Sequence, residues 1–243
     1  MRRATRAVVG SAGAAFAAHM VPSVVSLGQW VPVRALPGEL CRWRGPARPR
    51  IALTFDDGPD PGTTPPLLDR LDELGLRATF FCVGSRVAAG PDLVGEICRR
   101  GHQAETHGHR HEHHFVRTPR WVRADLEASL DALGSAGVRP KWFRPPFGQA
   151  TGATLLEARR LRLRPVLWSA WGREWAEADA GAVARRVRAG LDEGAIVLLH
   201  DTDAFSPAGS CRRAFEALGP VAEELHRRGL DAVTIDELAG PAA

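Results

Sequence analysis

From Arg50 onward the chain alternates short apolar runs with longer stretches of helical periodicity, and this alternation restricts the fold more than any other feature. The strand-like runs fall at 51–55, 78–83, 103–106, 141–144, 165–169, 195–200 and 231–235. Helices are predicted near 64–75, 91–100, 119–136, 152–161, 180–191 and 212–228. The stretch "RADLEASLDALGSAG" is representative: Leu126, Leu130 and Leu133 recur on one helical face, and Gly134 or Gly137 supplies a stop. Strands that alternate with helices are joined by crossovers and therefore run parallel. A doubly wound sheet and a closed barrel both satisfy that rhythm.

The residues that follow the runs separate the two. Asp56 and Asp57 follow the first, His107 the third and Arg144 the fourth; Trp168 lies near the end of the fifth, and His200 ends the sixth. In parallel α/β folds chemistry gathers at the carboxyl edge of the strands. A barrel brings all six residues to one rim, whereas an open sheet leaves some of them far apart, so the chemistry favours a barrel.

Two kinds of metal-capable residue stand at that edge. "IALTFDDGPD" ends in adjacent carboxylates, and "GHQAETHGHRHEHH" (residues 101–114) holds six histidines. His107 with His111, and His109 with His113, have i, i+4 spacing, and spacing alone does not choose between them. A catalytic zinc-like ion takes three protein ligands and keeps an open position. Adjacent residues at a strand exit can point in different directions, so one carboxylate can bind the ion while the other takes a proton from water. Taken singly, each signal has a plainer reading, a turn for Asp-Asp-Gly-Pro and a solvent-exposed loop for the histidines.

The rest of the composition bounds the class. With 243 residues, 44% apolar and 25% charged, the chain can bury one large core and is not a disordered tract. The net charge of +4 is spread along the sequence without a Lys/Arg block, which disfavours nucleic acid as a partner. Arg2, Arg3 and Arg6 precede an uncharged run from Ala7 to Val33, read as a signal peptide or membrane anchor over 1–33. Export follows, with membrane association through the N-terminus if the segment is retained. Residues 34–50 are rich in Pro and Arg and read as a linker, leaving 51–243 as the domain. Cys41, Cys82, Cys98 and Cys211 form no CxxC pair, which argues against a thiolate zinc site and favours buried free thiols.

"TFDDGPD", "HGHRH", "RPPFG", "LWSAWGREW" and "VLLHD" occur in the order of the five motifs of the polysaccharide deacetylases, carbohydrate esterase family 4 with the NodB-like domain, and the chain resembles that family over roughly residues 50–238. The resemblance implies a distorted (β/α) barrel of about seven parallel strands, similar to a TIM barrel. It implies a divalent metal, zinc first and cobalt or nickel as alternatives, held by Asp57, His107 and His111. It assigns Asp56 as general base, Arg144 as its brace, His200 as general acid and the Phe147 N–H as an oxyanion donor. Trp168 and Leu198 would line the pocket for the acetyl methyl. Four positions, in three of the motifs, depart from the pattern. Trp171 and Glu174 stand where two Asp are common, Gly108 replaces a Ser or Thr, and Phe147 replaces a Tyr. Glu174 is the candidate to orient Arg144 or His200 in place of the usual carboxylate.

The activity implied is removal of N-acetyl groups from an acetylated amino-sugar polymer such as peptidoglycan or chitin. Two alternatives are a hydrolase of other acetyl esters or small amides, and a cell-wall carbohydrate-binding protein without catalysis, for which seven tryptophans would offer stacking surfaces. Asp201 and Asp203, in the loop 201–212, could touch substrate or cap the next helix.

Overall fold

In a computed structural model the described residues are 40–240. The proposed signal or anchor over 1–33 lies outside them. Strand β1 (Arg50–Asp56) is buried along its whole length except Arg50, as expected for a central parallel strand. It pairs in parallel with β2 (Thr79–Cys82) on one side and β7 (Ile196–His200) on the other. Its first residues also pair with β8 (Asp231–Val233), which fills the space beside β1 below the start of β2. The order continues through β3 (Gln103–Thr106), β4 (Trp142–Phe143) and β5 (Arg164–Pro165) on the β2 side, and ends in β6 (Ala170–Trp171) beside β7.

The ends of that order, β5 and β6, are joined by only four residues. The predicted single strand 165–169 is therefore corrected to a bend between two short strands. Val166 N donates to Phe143 O on the β4 side (2.9 Å), and Ser169 N donates to Ile196 O on the β7 side (2.9 Å). One continuous segment thus bonds both edges and curls the parallel sheet into the distorted barrel. Pro165 removes a ladder donor at this point, which suits a broken strand better than a regular one. The described part of the linker lies along the bend: Arg42 N donates to Pro165 O, and Leu167 N donates to Arg42 O. Cys41 is buried there.

Helices α1 (Thr64–Glu73), α3 (Pro91–Arg99), α4 (Pro119–Ser135), α5 (Gly152–Arg160), α6 (Ala180–Ala189) and α7 (Ser210–Arg228) occupy the six predicted segments. Two further helices, α2 (Gly84–Ala89) and α8 (Ile235–Ala239), are too short to carry a periodic signal. Caps fix several starts. Thr118 accepts from Trp121 N, Thr151 and Thr154 form a reciprocal box, and Asp179 accepts from Ala182 N. After α4, Gly137 takes φ 82°, so the second of the two candidate stops occupies the left-handed region.

Alternation along β1 sorts its side chains. Leu53 and Phe55 join the cluster between sheet and helices, with Leu67, Leu71, Phe80 and Val197. Ala52 points the other way, into an interior cluster with Phe81, Trp142, Val166 and Ile196. Thr54 and Asp56 share the parity of Ala52, which aims a carboxylate at the top of the barrel interior. All four cysteines are free; Cys98 is exposed rather than buried, because it falls on the outer side of α3.

Candidate active site

Asp56 is the last residue of β1 and Asp57 is the first beyond it, at φ 88°. A non-glycine residue in that region costs on the order of 1–3 kcal/mol, and the turn separates the directions of the two side chains. Asp56 Oδ1 accepts from Arg144 Nη1 at 2.7 Å. Asp57 Oδ1 lies 3.5 Å from His107 Nε2 and 3.2 Å from His111 Nε2. Both carboxylates are buried. The adjacent pair is therefore divided between a guanidinium and two imidazoles.

Arg144 is wholly buried, so its charge needs several partners. Nη1 also donates to Thr54 Oγ1 (2.7 Å), Nη2 donates to Leu167 O (3.2 Å), and the guanidinium lies 4.1 Å from the Phe81 ring centroid. These contacts tie β1, β2 and β4 to the closing bend. They leave Asp56 little freedom to turn.

Asp57, His107 and His111 form the one group of potential metal ligands among the described residues, with one donor atom from each within 4.8 Å of the others. His109 and His113 are not part of it, so the register left open by spacing falls on the first pair. The donor set fits a divalent cation on two further grounds. Asp57 Oδ1 is buried without a well-formed hydrogen bond although two Nε2 atoms face it. The His107 ring is fixed by a 2.7 Å contact from Nδ1 to Arg144 O, which leaves Nε2 as the nitrogen available to a cation. Burial holds His111 below the usual histidine range, with His107 adding to the effect and Asp57 opposing it, so the ring is largely neutral at pH 7. Burial would raise the Asp57 carboxyl, but the charge of His200 and the contacts of His107 and His111 hold it below the usual range, as a ligand requires.

His200 closes the opposite side. Nε2 lies 4.0 Å from Asp57 Oδ2, and Nδ1 is 2.8 Å from Glu174 Oε1. Burial alone would lower its pKa; Glu174, Asp57 and Asp56 reverse that and raise it to about 10. Glu174 is fully buried and meets His200, not Arg144. Of the two partners offered by the sequence, the structure thus selects the histidine.

Between these groups lies a cavity of about 270 Å³, comparable to an acetamido group with part of a sugar. Leu198 and Trp168 line it, as do Phe147 and Gly148. A β-carbon at Gly148 would fall 2.5 Å from the Trp168 ring, so only glycine permits this approach. Trp168, Trp171 and Trp175 follow one another at centroid spacings of 5.8 and 5.5 Å, and Trp175 meets His200 edge-on at 5.2 Å. Trp171 thus occupies the commonly acidic position as a wall.

The loop bearing the histidines is held from α4. Asp125 accepts from His109 N (2.9 Å) and Arg110 N (3.0 Å), and Ser129 Oγ donates to Gly108 O (3.0 Å). Gly108 itself has φ 79°, and a β-carbon there would crowd Asp125, so the departure at this position is replaced by bracing from outside the motif. His113 stacks on Phe147, while His114 is a core residue bonded to Thr154. Asp201 is buried under the Asp57 turn, where it accepts from Thr64 Oγ1 at 2.8 Å. Asp203 caps α7 by accepting from Gly209 N and Cys211 N, both at 2.6 Å.

Thr54, Asp125, Trp175 and Phe205 belong to the site or its support without having been singled out by sequence. Thr54 was recoverable from strand parity, and Trp175 from its place in "WGREW". Asp125 and Phe205 carry no local signal, because their roles depend on contacts across 15 or more positions.

Comparison with known proteins identifies the family and the fold. The polysaccharide deacetylase family profile matches residues 44–166. The peptidoglycan-N-acetylglucosamine deacetylase PgdA of Listeria monocytogenes is 35% identical over 192 residues, 79% of this chain and 39% of that protein; the chain thus spans about two-fifths of its length. A peptidoglycan-N-acetylglucosamine deacetylase of Bacillus cereus is 33% identical over 81% of this chain and 91% of its own. The crystal structure of the Bc1960 peptidoglycan N-acetylglucosamine deacetylase in complex with 4-naphthalen-1-yl-N-oxidanyl-benzamide superposes with a TM-score of 0.79 at 27% identity, covering 86% of this chain and 97% of the other. The chain belongs to the polysaccharide deacetylase family.

Proposed function

We propose that this member of the family is a metal-dependent hydrolase that removes N-acetyl groups from an amino-sugar polymer of the cell wall, with peptidoglycan as the first candidate. The convergence of Asp57, His107 and His111, with Asp56 and His200 flanking them, carries this reading. The similarity to relatives named for peptidoglycan supports the substrate class. Asp57, His107 and His111 would hold the cation; two imidazoles and a carboxylate suit zinc, and cobalt or nickel are compatible.

A divalent ion held there would supply Lewis-acid polarisation of the acetamide carbonyl and would make the attacking water more acidic. Asp56, pinned by Arg144, accepts the proton of the water that attacks the carbonyl carbon. The Phe147 N–H donates to the developing oxyanion. His200 delivers a proton to the amide nitrogen as the C–N bond breaks, and Glu174 keeps the imidazole charged for that purpose. Trp168 and Leu198 receive the acetyl methyl, and the products are acetate and a free amine. Action outside the cytoplasm follows from a cell-wall substrate and from the basic and apolar segment over 1–33. A panel of acetylated peptidoglycan, chitin and acetyl-ester oligosaccharides tests the proposal. Chelator-sensitive acetate release from N-acetylated amino sugars supports it, and release from esters alone, or from none, contradicts it.

A further inference from the structure

The two imidazoles that face Asp57 are oriented by different means. His107 uses its second nitrogen to contact a backbone carbonyl, the usual way a ligating ring is fixed. His111 has no such tie: its Nδ1 is buried and lacks a hydrogen-bond partner among the described residues. The ring lies instead between two phenylalanines. Phe205 stacks on it with centroids 4.1 Å apart and planes 19° apart, and Phe147 packs on it at 4.3 Å and 57°.

Both phenylalanines are held by their own surroundings. Phe147 stacks on His113 at 3.8 Å and 15°, and the His113 Nδ1 contacts Gln149 Oε1 at 2.8 Å. Phe205 comes from a separate loop, after β7, whose ends are anchored where Asp203 accepts two backbone N–H groups and Thr202 Oγ1 donates to Asp60. Phe205 is 45% exposed and borders the cavity, so its position is set by the loop and the imidazole rather than by the core.

We propose that Phe205 is a positioning residue of the metal centre: with Phe147 it clamps the His111 ring so that Nε2 faces Asp57, in place of the hydrogen bond that His111 lacks. This rests on the reading of Asp57, His107 and His111 as metal ligands. It makes cation affinity depend on a loop that contributes no ligand.

The test uses the full chain, with zinc affinity measured by chelator competition and the site geometry by visible absorption of the cobalt-substituted protein. Phe205→Ala and Phe205→Leu are expected to weaken zinc binding about tenfold and to alter the cobalt bands, the size of effect seen when a ligand's supporting contact is removed. Phe205→Tyr keeps the ring and is expected to retain both the affinity and the spectrum. Unchanged unfolding of the metal-free variants separates this effect from a general loss of structure. Wild-type affinity in Phe205→Ala, or in Phe205→Leu, overturns the clamp and leaves the metal centre standing. A wild-type chain that binds neither metal overturns both.

Discussion

Glu174 Oε1 lies 2.8 Å from His200 Nδ1, joining a buried carboxylate to an imidazole 26 positions away in sequence. The contact is with His200 and not Arg144, and it favours the protonated imidazole. With a cation on Asp57, that carboxylate's pull on His200 is largely neutralised, and Glu174 remains as the main group favouring the imidazolium.

Glu174→Gln should therefore move the alkaline limb of the kcat/KM profile to lower pH, by about one unit or more. The sign follows from removing a negative charge beside a group that must stay protonated. A pH–rate profile measured on the variant checks this, and an unmoved limb contradicts the assignment of His200 as acid.

Arg144→Ala removes the guanidinium that donates to Asp56 and leaves that carboxylate buried without a hydrogen-bonded cation among the described residues, with His107 Nε2 3.8 Å away. The expected loss of stability is about 3–5 kcal/mol, read from urea unfolding. Arg144→Lys should recover only part of it, because an ammonium cannot reach Thr54, Asp56 and the Leu167 carbonyl together with planar geometry.

His114 is fully buried against Phe143, and its pKa is lowered to about 4, chiefly by burial and further by His107 and His111. A histidine held neutral in the fold binds fewer protons there than in the unfolded chain between about pH 4 and the ordinary histidine value near 6.5. Stability should thus fall as pH drops through that window, by up to about 3 kcal/mol from this group. Comparing denaturant unfolding of wild type and His114→Gln at pH 7 and pH 4.5 checks it; the variant should have the flatter dependence.

Gly148→Ala places a methyl group against the Trp168 ring at a residue with φ 66°. Backbone strain and the clash together should cost about 1–3 kcal/mol and raise KM by displacing the cavity wall. Wild-type KM and stability would show that the wall yields.

Much of this was legible in the sequence, for physical reasons that differ by element. Parallel order followed from alternation, and the rim followed from which residues stood after each strand. The inward direction of Asp56 came from the structure: once Leu53 and Phe55 are seen to face the helices, a period of two leaves no other choice. The closing bend at 165–169 was not legible, since an apolar run reads as one strand whether or not it changes partner midway. The histidine register was not decidable from spacing, because His109 and His113 repeat the same interval. It is set by Asp125 on α4, which fixes the loop through contacts remote in sequence. The partner of Glu174 likewise depended on the fold of "WGREW" about Arg173, at φ 51°, which no local rule supplies.

The central claim is that Asp57 holds the metal while its neighbour Asp56 handles the proton. Metal content and acetate release measured together on Asp56→Asn test it most directly. The account predicts about one divalent ion per chain, as in wild type, with acetate release from a peptidoglycan oligomer reduced at least about a hundredfold. Turnover near the wild-type rate in that variant would contradict it.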